Sequence, residues 1–113
     1  MTAYFEYKPQ TADKFDPEAI VAECIEKDHG ALLLDSSILP REFFDLSSGV
    51  TGALIHRLSL YGIRMAVVIP DTSRYSRPFQ DFVREANRGK QSHFVPTREE
   101  AVAWLNMDLQ DAP

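Results

Sequence analysis

The chain has 113 residues, of which 44% are hydrophobic and 26% are charged, and its net charge at pH 7 is −5. This length and composition are typical of one globular domain with its own core. The single cysteine excludes an internal disulfide, and the acidic charge disfavours nucleic acid as a partner, because phosphate binding requires a basic surface. No apolar stretch approaches the ~20 residues that span a membrane, and no signal-peptide pattern is present, so we expect a cytoplasmic protein.

The N-terminal part predicts a short strand and then a helix. Residues 1–13 are expected to form an edge strand over residues 4–7 or to be poorly ordered. The helix is predicted from Asp16 as its N-cap, Pro17 at its first position and Gly30 as its C-terminal stop. Four residues that recur at helical spacing predict its apolar face: Ile20, Val21, Cys24 and Ile25.

A buried strand and a second helix are predicted in the middle of the chain. The apolar run at residues 31–34 is typical of a strand that is covered on both faces. The connector over residues 39–45 contains Phe43 and Phe44, which we expect to plug the edge of the core. The second helix is predicted over residues 48–61, with Ser47 or Ser48 as its cap. Its apolar stripe consists of Val50, Leu54, Ile55 and Leu58, and Gly62 ends it.

The second half predicts two further strands and two further helices. Residues 63–69 form the clearest strand, and the polar loop 70–77 follows it. Pro78 opens the third helix, after Ser76 or Arg77. Residues 92–95 predict a short strand. The capping box from Thr97 to Glu100 begins the last helix, and residues 108–113 are expected to be a frayed tail.

The alternation of strands and helices predicts one α/β domain over residues 1–113. Its sheet is expected to be small and mostly parallel, with about four strands and with helices packed on it, because helices that connect neighbouring parallel strands give this architecture.

Several motifs resemble an uncharacterised bacterial family, the DUF4180 domain. The stretch Glu42-Phe43-Phe44-Asp45-Leu46-Ser47-Ser48-Gly49 is similar to that family's "FFDL…G" signature. Further similar stretches are residues 63–68, 81–89, 94–95 and 99–101, so the resemblance covers roughly residues 31–105. It implies an α/β domain with no established activity. The N-terminal part departs, since that family opens with a longer strand region and a longer first helix.

A weaker resemblance is to the STAS domain of anti-sigma-factor antagonists, and it implies a STAS-like layout. In that family a strand leads to an Asp-Ser-Ser-Gly turn, whose first serine is phosphorylated by a partner kinase. Here the turn reads Asp45-Leu46-Ser47-Ser48-Gly49, so the resemblance makes Ser47 the phosphorylated position. Leu46 stands where that family has its aspartate, which is a departure from the motif.

A first candidate site is a binding surface for a partner protein. A phosphate on Ser47 would lie near a helix N-terminus, and Gly49 and Gly52 would let a partner approach the backbone. In the loop that follows the clearest strand, Tyr75 lies between two arginines, and tyrosine and arginine are enriched at interface hot spots. The alternative is that the serines only cap a helix and the loop is only solvated. The candidates for this surface are Asp45, Ser47, Ser48, Gly49, Arg74, Tyr75 and Arg77.

A second candidate site is a ligand pocket where the predicted strands end. Ligands of parallel sheets bind beyond the carboxyl ends of the strands. The residues Asp35, Asp71, Ser73 and Thr97 follow these strands, and Arg74 is close by in sequence. Two carboxylates could hold a cation such as Mg²⁺, or one could act as a general acid and the other as a general base. The alternative is that these residues only end strands and begin turns.

Motifs for catalysis are missing from the sequence. It contains no GxGxxG, GxxxxGK[ST] or GxSxG motif, and its histidines and cysteine lack metal-ligand spacing. We interpret a cluster of basic residues as ordinary surface charge near the ends of a helix. The cluster consists of Arg74, Arg77, Arg84, Arg88 and Lys90. We therefore predict no catalytic residue, no metal and no cofactor.

The sequence favours a non-catalytic regulatory or interaction module that binds a protein partner. The alternative is a small-molecule-binding protein or an enzyme that uses the polar residues at the strand ends. A third option is a homodimer, because a shortened N-terminal edge of the sheet would leave a strand open for pairing with another copy.

Overall fold

A four-stranded sheet forms the centre of the protein, and all of its strands are parallel. The computed structural model describes residues 4–8, 15–27 and 30–107. Its strands are β1 (Phe5–Glu6), β2 (Ala31–Asp35), β3 (Arg64–Val68) and β4 (Ser92–Val95). They lie side by side in chain order, with β1 and β4 at the two edges. The predicted α/β class with a small parallel sheet is confirmed.

The helices are divided unequally between the two faces of the sheet. The described residues form α1 (Pro17–Glu26), α2 (Arg41–Phe44), α3 (Val50–Leu60), α4 (Arg77–Ala86) and α5 (Arg98–Leu105). Because crossovers between parallel strands are right-handed and the strands follow chain order, α1, α3 and α4 pack on the same face. The last helix, α5, follows β4 and packs on the opposite face.

The side chains of each strand alternate between two cores. The first core lies under α1, α3 and α4, and the second lies under α5. In β2, for example, Leu32 and Leu34 belong to the first core, whereas Ala31 and Leu33 belong to the second. Both β2 and β3 are therefore covered on both faces, which explains their continuous apolar sequences.

The start of α1 agrees with the sequence, but its end does not. Asp16 caps the helix by accepting a hydrogen bond from the Glu18 amide at 3.0 Å. The helix ends at Glu26 and has Lys27 as its C-cap, so Gly30, which directly precedes β2, is not its stop. The prediction for Ile25 was also wrong, because this side chain is 48% exposed.

The connector predicted over residues 39–45 contains a helical turn, α2. Pro40 directly precedes it with extended backbone, so its ring does not interrupt the turn. Phe43 is fully buried and Phe44 is half-buried against the first core. Both side chains therefore pack on the core, as predicted. Neither predicted serine caps α3. Its N-cap is Gly49, and residues 46–48 form a 3-10 turn instead.

The remaining helix starts follow the predicted caps. The hydroxyl of Ser76 accepts a hydrogen bond from the Phe79 amide at 3.3 Å at the start of α4. The hydroxyl of Thr97 accepts one from the Glu100 amide at 3.2 Å and donates one to its carboxylate at 3.1 Å. The predicted frayed tail at residues 108–113 lies outside the described residues. None of the described helices is long and apolar enough to cross a membrane.

Candidate functional site

The candidate residues all lie at the edge of the sheet where the parallel strands end. Asp35 is the last residue of β2 and Arg77 is the first residue of α4, whereas the other candidates lie between β2 and α3, between β3 and α4, or between β4 and α5. The N-termini of α3, α4 and α5 lie at the same edge, because each helix runs back across the sheet. The sequence predicted this edge for the ligand-pocket candidates, and the structure places the partner-binding candidates at the same edge.

Three aspartates at this edge share one local arrangement. In each, the carboxylate oxygen Oδ1 accepts a hydrogen bond from the amide of the serine two residues later, at 2.9–3.1 Å. Each aspartate thereby caps a 3-10 turn. The pairs are Asp35 with Ser37, Asp45 with Ser47, and Asp71 with Ser73. These carboxylates therefore have a structural role within their own turns.

The predicted ligand pocket depends mainly on Asp35 and Asp71. The hydroxyl and amide of Ser73 hold the pKa of Asp71 below its usual range, and the charge of Arg74 lowers it further. Asp71 is thus an ionised turn residue rather than a proton donor at neutral pH. Thr97 is engaged in the capping box of α5. Over residues 4–8, 15–27 and 30–107, no group of three His, Cys, Asp or Glu side chains is arranged to hold a metal ion.

The turn over residues 45–52 is attached to α2 by side-chain hydrogen bonds. The Ser48 hydroxyl donates to the carbonyl oxygen of Glu42 at 2.7 Å and accepts from the Val50 amide at 3.3 Å. The Thr51 hydroxyl, which is fully buried, donates to the carbonyl oxygen of Phe43. The sequence analysis missed Thr51, although its position three residues before Leu54 places it on the apolar stripe.

Ser47 is an exposed residue of this turn. It donates to Oδ1 of Asp45 at 2.6 Å, in addition to the backbone hydrogen bond between the same residues. Gly49 follows with a φ of 80°, which is left-handed backbone that favours glycine. A Cβ atom at Gly49 or Gly52 would meet nothing within 4 Å. Both glycines therefore face open space, and the positive φ of Gly49 is the reason that this position favours glycine.

An aromatic stack connects the turn to the loop over residues 73–77. The rings of Phe44 and Tyr75 lie parallel, with centroids 4.3 Å apart and an interplanar angle of 15°. Phe79 of α4 contacts both rings from the first core, and Gln80 donates to the carbonyl oxygen of Tyr75 at 2.9 Å. Since Asp45 follows Phe44 directly, the stack makes the turn and the loop parts of one surface, which we call the turn–loop surface (residues 45–52 and 73–77).

Three basic residues within or just after α4 form ion pairs with acidic residues of that helix. Arg77 and Arg84 both pair with Asp81, at 3.3 and 3.2 Å. Arg88 pairs with Glu85 at 3.6 Å. In the described part of the chain, Arg74 has no ion-pair partner within 4 Å. Arg74 is thus the basic residue of the turn–loop surface whose guanidinium is available to another molecule.

Comparison with known proteins identifies a family. The family model described as "Domain of unknown function (DUF4180)" matches residues 4–105. The match begins before β1 and ends at the last residue of α5, so it also includes the N-terminal strand and helix. Neither the curated proteins nor the solved structures gave a match. The chain belongs to the DUF4180 family.

Proposed function

We propose that this domain is a non-catalytic interaction module that binds a protein partner through the turn–loop surface. The observation that supports this proposal is the stack of Phe44 on Tyr75, which joins two exposed polar segments into one continuous surface. The half-buried Tyr75 and the exposed Arg74 are of the residue types that carry binding energy at interfaces. A carboxylate of the partner is the group that Arg74 would bind.

The alternative, a ligand pocket or enzyme site at the strand ends, has weaker support. Its carboxylates already accept hydrogen bonds from the turns that they cap. Asp71 in particular is held ionised by Ser73, so it is poorly suited to donate a proton. The polar residues at the strand ends are better explained by their role in starting the following turns.

Ser47 offers a way to regulate the proposed interaction. Its hydroxyl is exposed and donates to the Asp45 carboxylate at 2.6 Å. A phosphate on Ser47 would remove this donor and place about −1.5 to −2 charges beside that carboxylate. The repulsion would open the turn, and phosphorylation would therefore weaken the partner complex.

The experiment is affinity capture from a lysate of the native host, with the folded domain as bait and mass spectrometry as the readout. We expect a reproducible protein partner that Arg74→Ala weakens about tenfold, as removal of an interface hot spot does. Ser47→Asp should also weaken the complex, whereas Ser47→Ala should retain most of it. The matched control is Arg88→Ala, which removes an exposed arginine that follows α4 and lies outside the turn–loop surface.

Two results would contradict the proposal. The first is a partner that binds the Ser47→Asp/Arg74→Ala double variant as well as it binds the wild type. The second is the absence of any specific protein partner, which would favour the strand-end pocket and a screen of metabolites. Circular dichroism of each variant establishes that lost binding does not come from lost structure.

A further inference from the structure

A groove between α3 and α4 lies towards the edge of the sheet where the strands begin, away from the turn–loop surface. Its volume is about 290 Å³, near the lower end of the range for small-molecule sites. Its walls include Ile55 of α3 and Phe82 and Ala86 of α4. The segment before β4 closes the groove, and Ser92, the first residue of β4, forms part of its lining.

Ser92 carries a hydroxyl that the described residues leave without a hydrogen-bond partner. The residue is only 3% exposed, so water does not reach the hydroxyl freely. Side chains alternate along a strand, so Ser92 lies on the same face as Phe94, which belongs to the first core. The hydroxyl is therefore on the face of the sheet where the groove lies.

A buried hydroxyl without a partner is unfavourable, and proteins contain few of them. At Ser92 this cost coincides with an apolar groove in the layer of helices above it. A molecule in the groove that offers one polar group would complete the hydrogen bonding of Ser92 and cover the apolar walls. The two features thus have one common explanation.

We propose that the groove binds a small, neutral, mostly apolar molecule whose single polar group hydrogen-bonds to Ser92. Ile55 and Phe82 provide apolar contacts for its hydrocarbon part. Glu85, a charged residue in the lining, is already paired with Arg88 at 3.6 Å, so the groove offers little uncompensated charge to an ion. Aromatic alcohols of one ring are the chemical class that combines this size, neutrality and a hydroxyl.

The test uses benzyl alcohol and toluene, which have similar rings and differ in the hydroxyl group. Each is titrated into isotopically labelled full-length protein, and the chemical shifts are followed by NMR. We expect saturable shifts at the Ile55 methyl groups and at the amides of Ala86 and Ser92 with both molecules. Ser92→Ala should weaken the binding of benzyl alcohol about two- to tenfold, the effect of one hydrogen bond, and leave that of toluene unchanged.

A second variant tests the groove without involving the hydroxyl. Ala86→Leu places a larger side chain in the groove wall and should weaken the binding of both molecules equally. Ser92→Ala should remain folded, because it removes an unpartnered hydroxyl rather than a contact.

Four results would overturn the proposal. These are no saturable shift with either molecule, shifts that map away from the groove, and an equal effect of Ser92→Ala on both molecules. The fourth is a shift of the groove residues with protein concentration in the absence of either molecule. That result would show that a second copy of the chain occupies the groove.

Discussion

The side chain of Asn87 hydrogen-bonds to both backbone polar groups of Phe94. Its Nδ2 donates to the Phe94 carbonyl oxygen at 3.0 Å, and its Oδ1 accepts from the Phe94 amide at 2.7 Å. The neighbouring residues Gln91 and Val95 bond through their carbonyl groups to β3, so the polar groups of Phe94 face away from the sheet. Asn87 thus takes the place of a further strand at the β4 edge, where an open strand would favour pairing between chains.

Asn87→Ala should destabilise the protein and promote self-association. The substitution removes two hydrogen bonds and leaves the amide and carbonyl of Phe94 unpaired at the sheet edge. We expect the free energy of unfolding to fall by about 1–3 kcal/mol. Urea denaturation measures this loss, and light scattering over a range of protein concentrations measures the association.

Asn106→Ala is the matched control, because Asn106 is an exposed asparagine that also follows the last residue of a helix. It should change stability by less than about 0.5 kcal/mol, as surface substitutions usually do. Equal effects of the two substitutions would show that the bonds of Asn87 to β4 contribute nothing specific.

The features that the sequence predicted depend on local signals. The apolar runs of β2 and β3 and the caps Asp16, Ser76 and Thr97 are each recognised within a few residues, and the structure contains them. The same signals placed the ligand-pocket candidates at the carboxyl ends of the strands.

The features that the sequence missed depend on contacts between distant segments. The stack of Phe44 on Tyr75 and the bonds of Asn87 to β4 form only when separate elements pack together. Local propensity contains no information about such neighbours. The positive φ of Gly49 was also not predicted, since it follows from how the 3-10 turn and α3 join.

The two glycines near the start of α3 should respond to alanine in opposite directions. Gly49 has a φ of 80°, so Gly49→Ala should destabilise the protein by about 1–2 kcal/mol. Gly52 lies within the helix, where a Cβ atom meets nothing within 4 Å, so Gly52→Ala should stabilise it by about 0.5–1 kcal/mol. Chemical denaturation of both variants checks this, and effects of the same sign would refute the assignment of positive φ.

Arg98 at the start of α5 forms a bidentate ion pair with Glu6 of β1, in which one N···O distance is 2.9 Å. The hydrogen bond from Arg98 lowers the pKa of Glu6 below its usual range. The pair therefore stabilises the fold when Glu6 is ionised, and this contribution disappears as the pH falls through the lowered pKa.

Glu6→Gln should destabilise the protein at pH 7, because it removes the charge that Arg98 binds. At pH values below the lowered pKa the wild type also lacks this charge, so the difference between the two proteins should shrink. Thermal unfolding at pH 7 and at a strongly acidic pH gives the two differences. The control is Glu99→Gln, which changes an exposed glutamate in the first turn of α5 that forms no ion pair with another described residue. If the difference in stability between the wild type and Glu6→Gln were the same at both pH values, the ion pair would not be its cause.

Cys24 lies on α1 and is fully buried in the first core. Burial and, to a smaller extent, the charge of Glu23 together raise the pKa of the thiol from 9.0 to about 11. Because the thiolate is the reactive form and the side chain is inaccessible, a thiol reagent should modify Cys24 only after unfolding.

The raised pKa also predicts how stability depends on alkaline pH. Between pH 9 and about 11 the thiol of the unfolded chain loses its proton while the folded one keeps it. The free energy of unfolding therefore decreases across this window, by up to about 3 kcal/mol for a pKa difference of about two. Cys24→Ala has no thiol, so its free energy of unfolding should fall less steeply with pH than that of the wild type, whatever its stability at pH 7. Urea denaturation of both proteins from pH 8 to 11 measures the two slopes, and equal slopes would show that the thiol does not titrate differently in the two states.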